Sequence, residues 1–422
     1  MSVQSGHLGA DFLADLENTL APSDAALAAR YPGDDGSRQP VHTVYVPADR
    51  HVADLSREWG AAALDAAAAH GGLDAIARST VAESDSAATG LAELVEHKLR
   101  TEPIEDLRID FEDGYGVRPD AEEDSAVTDA IAAMRAGADS SPPFIGIRFK
   151  SFEADVRTRG LRTLDLFVGG LMAGGGLPTG LTLTLPKVTS VDQVQAMVRV
   201  ARELERVHGL AERRIGFEVQ IETPQAILGA DGSASVARMI HVGDGRVTAL
   251  HYGTYDYSAS LGIAAAYQSM EHPAADHAKA VMQLAAAGTG VRLSDGSTNI
   301  LPIGDRVGAG WSLHARLVRR HLERGFYQGW DLHPAQLVTR FLATYAFYRD
   351  GFDDAAVRLR NYVHRLESAV LDEPATARAL AGFIRRGELC GALTVAEIES
   401  ATEVPMDTIS ALALHRPLPT DA

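Results

Sequence analysis

Cysteine is nearly absent from this chain of 422 residues. Cys390 stands alone, which excludes an intramolecular disulfide and any zinc site built on cysteines. Long apolar runs are missing too: no stretch approaches the roughly 20 residues of a membrane span, and the opening MSVQSGHLGADF has no signal-peptide core. Positive charge is the scarcer sign, with 39 Lys and Arg against 57 Asp and Glu and a formal net charge of −18. That balance argues against general nucleic-acid binding, which needs basic patches to displace counterions. It leaves room for a small anion in a cleft whose own basic residues reverse the local field. No Ser-His-Asp order, HExxH pattern, low-complexity tract or internal repeat beyond a strand–helix unit stands out. A soluble cytoplasmic protein with neither a membrane nor a nucleic-acid partner is the expectation.

What is present is a set of strands with one polar face. In IGFEVQIET (Ile215 to Thr223), Phe217, Val219 and Ile221 alternate with Glu218, Gln220 and Glu222, the period-two signature of a strand. LRIDFED sets Arg108, Asp110 and Glu112 opposite Leu107, Ile109 and Phe111, and FIGIRFK sets Arg148 and Lys150 opposite Ile147 and Phe149. LTLTLPK carries Thr182 and Thr184 and turns through Pro186 to Lys187; TALHYGTYD carries His251 and ends in a glycine-containing turn before Asp256. These segments recur at about one strand–helix–strand length, with helical patterns between them. In VDQVQAMVRVARELERV, for example, Val194, Met197, Val198 and Ala201 share one face. Such alternation implies a parallel sheet whose apolar side meets helices and whose polar side lines an interior, as in a TIM (β/α)8 barrel. HTVYVPA (42–48) supplies a first strand, GVRLSDG (290–296) a weaker seventh that competes with 299–303, and FYQGWDLHP (326–334) an eighth.

Beyond the barrel, residues 1–40 read as an N-terminal extension holding a short amphipathic segment and the loop YPGDDGSRQP. The barrel spans 41–337, with a helical insertion of two or three helices at 51–106. Residues 338–422 read as a helical extension, in which Thr394 and Glu397 form a capping box.

Chemistry in such barrels gathers at the C-terminal strand ends. Glu222 ends the fifth strand and Asp256 lies just past the sixth, and two carboxylates there suit a hard cation such as Mg²⁺ or Mn²⁺ that keeps positions for water and substrate. Alternatively, Glu222 caps a following helix and Asp256 begins one. Arg148 suits a substrate carboxylate or enolate through its planar fork. It equally suits an internal ion pair with Asp110 or Glu112, and the two readings are compatible. Among Asp110, Glu112 and Asp113, one would orient metal-bound water, and Asp113 before Gly114 also suits a turn. Lys187 would hold an anionic intermediate or lie at the surface. His251 and His333 read as structural histidines more readily than as catalysts. GLMAGGGLPTG (Gly170 to Gly180) precedes a strand instead of opening a helix, which makes it a connection and not a phosphate loop.

Seven segments, in order over residues 44–337, resemble the HpcH/HpaI aldolase/citrate lyase family, in particular its citrate lyase β-subunit and malyl-CoA lyase members. They are VYVPADR, RIDFEDGY, IRFKS, LPKV, QIETPQAI, HYGTYDYSASLG and GFYQGWDLHPAQL. The resemblance implies a pyruvate/phosphoenolpyruvate-binding type of barrel, Mg²⁺ on Glu222 and Asp256, and Arg148 on the acid substrate. It further implies carbon–carbon lyase or aldolase chemistry through a metal-stabilised enolate. The substrate would be a small keto or hydroxy acid, or its coenzyme A thioester, and the assembly a homo-oligomer, trimer or hexamer. The sequence departs from the family pattern at Pro224 and Ala226, at Phe149-Lys150, which adds positive charge at the mouth, and at Trp330. With the 51–106 insertion, these changes alter the entrance that a coenzyme would use. A catalytically silent keto-acid-binding barrel, acting as a regulatory or complex subunit, is the alternative from another class. Phosphoryl transfer through His251 is a third.

Overall fold

The computed structural model describes residues 8–82, 84–366 and 372–418. The start of the N-terminal extension and two parts of the expected C-terminal helical extension lie outside them. Eight parallel strands form the centre: β1 (His42–Pro47), β2 (Asp106–Asp110), β3 (Phe144–Arg148), β4 (Leu181–Leu185), β5 (Phe217–Ile221), β6 (Val247–Tyr252), β7 (Arg292–Ser294) and β8 (Gly329–Asp331). Each pairs with the next in sequence up to β7, and β1 pairs with β8. The remaining seam, between β7 and β8, is bridged at Ser294 and Gln328. There Asp295 N–H donates to the Gln328 carbonyl at 2.9 Å and Trp330 N–H to the Gly296 carbonyl at 3.2 Å. The fold is a TIM barrel with helical extensions. The seventh strand is the one inside GVRLSDG, and 299–303 forms no strand.

The alternation places the strands' two faces as expected. Leu107, Ile109, Ile147, Leu183, Val219 and Ile221 are buried in the main hydrophobic core with the surrounding helices, each such side chain contributing about 1.5–3 kcal/mol by leaving water. The other face fills the barrel with polar groups, most of them hydrogen-bonded to one another. Arg108 donates to both oxygens of Asp106 (2.6 and 2.9 Å) and of Glu218 (3.0 and 2.9 Å), and to Thr184 Oγ1 at 2.9 Å. His251 lies with Nε2 3.1 Å from Glu218, and its Nδ1 accepts from Trp330 Nε1 at 3.1 Å. Both contacts make it a structural residue. Trp330 therefore packs inside the barrel, over Tyr45 at 4.7 Å between centroids, and not at the entrance.

Three helices, Leu55–Ala68, Gly72–Thr80 and Asp85–Thr101, make up the insertion between β1 and β2 and pack on the long helix Pro334–Val363 that follows β8. That helix also joins Pro374–Leu389, Val395–Thr402 and Met406–Ala413 around a second core of Phe352, Leu359, Ile384, Leu393, Ile398 and Ile409. The capping box of Thr394 and Glu397 is present. One expectation needs correcting: the N-terminal segment is not short. It is a helix of 21 residues, Ala10–Arg30, with no buried residue. No helix among the described residues is long and apolar enough to cross a membrane.

Candidate functional site

Parallel pairing of β2 with β3 sets Asp110 beside Arg148, and their side chains close on each other. Arg148 Nε and Nη2 donate to Asp110 Oδ1 and Oδ2 at 2.7 and 2.6 Å, and the guanidinium lies 4.9 Å from the Tyr45 ring centroid. Asp110 accepts in addition from the backbone N–H of Glu112 (2.9 Å) and Gly114 (2.8 Å). All four of its acceptor positions are occupied, so it aims Arg148 and shapes the turn that the sequence left to Asp113. Arg148 Nη1 meets Glu112 Oε2 at 3.6 Å and keeps donors free to turn toward a ligand.

Lys187 follows β4 with φ of 50°, a left-handed conformation that costs a non-glycine residue energy. The turn serves both its ends. The backbone N–H donates to Glu222 Oε1 at 2.6 Å, while Nζ reaches Glu112 and, at 2.6 Å, Asp113. Burial opposes the lysine's charge, but Glu112 and Asp113 outweigh it and hold the ammonium above its ordinary range. Burial likewise opposes the Asp113 charge, and Lys187 holds that carboxyl below its usual value. Glu112 is pushed up, first by burial and then by the Asp113 charge.

Glu222, 2% exposed, immediately follows β5. Burial lifts its carboxyl to about 8 against the pull of Arg148, with the charges of Asp256 and Glu112 adding to the rise. Gly253 makes the enclosure possible: a Cβ there would stand 2.4 Å from Glu222 Cβ and 2.7 Å from Oε2. Asp256, in the first turn of the helix Thr254–Ser260 as its alternative reading had it, is also raised, by burial before the charges of Asp113 and Glu153. Glu222 does not cap the next helix. Thr223 does, accepting from Ala226 N–H.

Asp110, Glu112, Asp113, Arg148, Lys187 and Glu222 thus form one linked cluster at the C-terminal mouth, with Asp256 within its field. Lys150 does not belong to it. Its ammonium is buried against the Phe111 carbonyl and Glu123 Oε2, both at 2.7 Å, so the positive charge expected at the mouth is neutralised in the helical layer. His333 caps the helix Pro334–Val363, and Gly174 to Gly180 connects a helix to β4. Sequence reasoning missed Tyr45, whose alternation in HTVYVP gives it the inward face and which carries Arg148 on its ring.

The donors fit a hard divalent cation. They are carboxylate oxygens, and burial raises the proton affinity of both Glu222 and Asp256, as it does for acids lacking a sufficient counter-charge. No group of three or more His, Cys, Asp or Glu arranged to hold a metal occurs among the described residues. Two protein ligands would leave the remaining positions to water and substrate, a common arrangement for Mg²⁺.

Residues 20–417 match the family described as Domain of unknown function (DUF6986). The chain belongs to this family. No curated protein matches it. Solved structures similar to this chain include a malate synthase of Haloferax volcanii in a lead(II) complex, 14% identical, with a TM-score of 0.49 over 86% of this chain and 91% of that one. The same organism's magnesium/glyoxylate complex is 14% identical, with a TM-score of 0.48 over 90% and 98%. An HpcH/HpaI aldolase/citrate lyase family protein of Burkholderia cenocepacia J2315 is 16% identical, with a TM-score of 0.40 over 75% and 95%.

Proposed function

We propose that this protein is a carbon–carbon lyase or aldolase, dependent on Mg²⁺ or Mn²⁺, that acts on a small hydroxy or keto acid or its coenzyme A thioester through an enolate. The observation that carries the reading is the pairing, at one barrel mouth, of the buried acid Glu222 and the half-buried Asp256 with Arg148. Bound on Glu222 and Asp256, the cation would supply Lewis-acid polarisation of a carbonyl. Arg148, aimed by Asp110 and stacked on Tyr45, binds the substrate carboxylate through the donors of Nη1. Lys187 stays protonated between Glu112 and Asp113, which makes it an electrostatic partner for a developing oxyanion and not a base. Glu112 holds both cations in register.

The test is keto-acid release from a panel of hydroxy acids and their thioesters, with and without a chelator. Turnover that needs Mg²⁺ or Mn²⁺, and that falls by about 10³-fold or more in Glu222→Gln and Asp256→Asn, is expected. Undiminished turnover under chelation overturns the metal. Binding of a keto acid without turnover of any substrate overturns the lyase in favour of a silent subunit.

A further inference from the structure

A cavity of about 280 Å³ lies away from this mouth, beside the N-terminal ends of β7 and β8, between the loop that precedes β1 and the helix Pro374–Leu389. Three arginines line it: Arg292, the first residue of β7, and Arg385 and Arg386 of that helix. Most arginines of this acidic chain lie against carboxylates. These three form no ion pair among the described residues. Arg292 donates to Ser37 Oγ, Arg385 to the Gly36 carbonyl and Arg386 to the Gly382 carbonyl at 3.3 Å, all neutral oxygens. Arg386 also lies over the Tyr327 ring at 4.3 Å, an orientation that fixes the plane of its fork.

The charge balance of the pocket is positive. Asp34 is the one acid of its lining, and its Oδ1 is already turned to the Gly36 N–H at 2.8 Å. Asp35, next to it, accepts from the Ser37 N–H at 2.7 Å. Burial holds Arg292 below the usual arginine range despite these two acids, whereas Arg38, Arg108 and Arg148, which have carboxylate partners, are all held above it. Arg292 is therefore a half-buried guanidinium whose nearest acids, Asp34 and Asp35, lie in its field but make no ion pair with it: the hydroxyl of Ser37 stands between Arg292 and Asp35.

We propose that this pocket binds a small oxyanion, a phosphate ester or a carboxylate, between Arg292, Arg385 and Arg386. Planar forks converging from a strand and a helix match the several oxygens of such a group. The volume admits a compact metabolite and little more. Because Arg292 and Arg385 also hold Ser37 and Gly36, the occupied pocket fastens the loop that carries the N-terminal helix. The inference is independent of the activity proposed for the mouth.

Calorimetry on the full metal-free chain, with inorganic phosphate and with citrate as probes, tests it. Saturable binding of at least one probe is expected, weakened by about tenfold or more in Arg385→Gln and in Arg386→Gln and unchanged in Arg148→Gln, which disables the mouth. Preference for phosphate or for citrate identifies the ligand's head group. If Arg385→Gln does not fold, Arg386→Lys, which keeps the charge and loses the fork, reads a smaller loss. No saturable binding of either probe, or binding that survives in both Gln variants and disappears in Arg148→Gln, overturns the proposal.

Discussion

At the scale of single residues, the mouth is an electrostatic compromise centred on Glu222. Its carboxyl, lifted to about 8 by burial, keeps a proton between about pH 4.5 and 8 that an unfolded chain has released. The folded state therefore binds more protons across that window, and metal-free stability falls as pH rises through it, levelling off above about 8. Glu222→Gln keeps the acceptor for the Lys187 N–H and removes the charge. Thermal or urea melts under chelation are expected to show this variant stabilised by a few kcal/mol above pH 8, since a tenfold change in proton affinity is worth about 1.4 kcal/mol, and nearly unchanged below pH 5. With Mg²⁺ bound as proposed, added Mg²⁺ is expected to stabilise the wild type and not this variant. Identical pH slopes in wild type and variant would show that Glu222 is not strained.

At the scale of elements, each strand carries two programmes, and both were readable because side-chain direction along a strand repeats every second residue. The inward-facing polar set of the strands from β2 to β6 and the barrel that it implies followed from that periodicity, while the seventh strand stayed in competition with 299–303. It stops informing where the strand stops. β3 ends at Arg148, so Lys150, two residues on, leaves the inward face for Glu123. Periodicity also gives a face and not a partner, which is why the bidentate pairing of Arg148 with Asp110 stayed open until the β2–β3 register was known. Inside the barrel, Arg108 is the shared counter-ion of Asp106 and Glu218, and the three groups rise or fall together. Arg108→Met strands two buried carboxylates, and a loss of about 3–5 kcal/mol in urea unfolding is expected. Adding Asp106→Asn and Glu218→Gln should restore most of it; a triple variant as weak as the single one would mean that packing, not charge, is what Arg108 provides.

At the scale of the whole molecule, the insertion and the C-terminal helices share buried surface with the barrel, whereas the helix Ala10–Arg30 buries nothing in its own chain. Its pattern was hard to read as a long helix because Pro22 interrupts the backbone hydrogen bonding while leaving the stripe intact. Leu13, Leu16, Leu20 and Leu27, all about half exposed, recur at the three-, four- and seven-residue spacing of a coiled-coil seam. Antiparallel pairing with a second copy would bring Arg30 in the last turn toward Asp11 in the first, and unlike charges would flank the seam. We propose that the homo-oligomer implied by the family resemblance is joined through this helix. Light scattering should give a multiple of the chain mass for the full protein. A smaller assembly is expected after deletion of residues 1–30, with the melting temperature of the barrel within a few degrees of the parent because none of the described residues removed is buried. A full-length monomer, or a truncated chain that keeps the parent's mass multiple, would place the contact elsewhere.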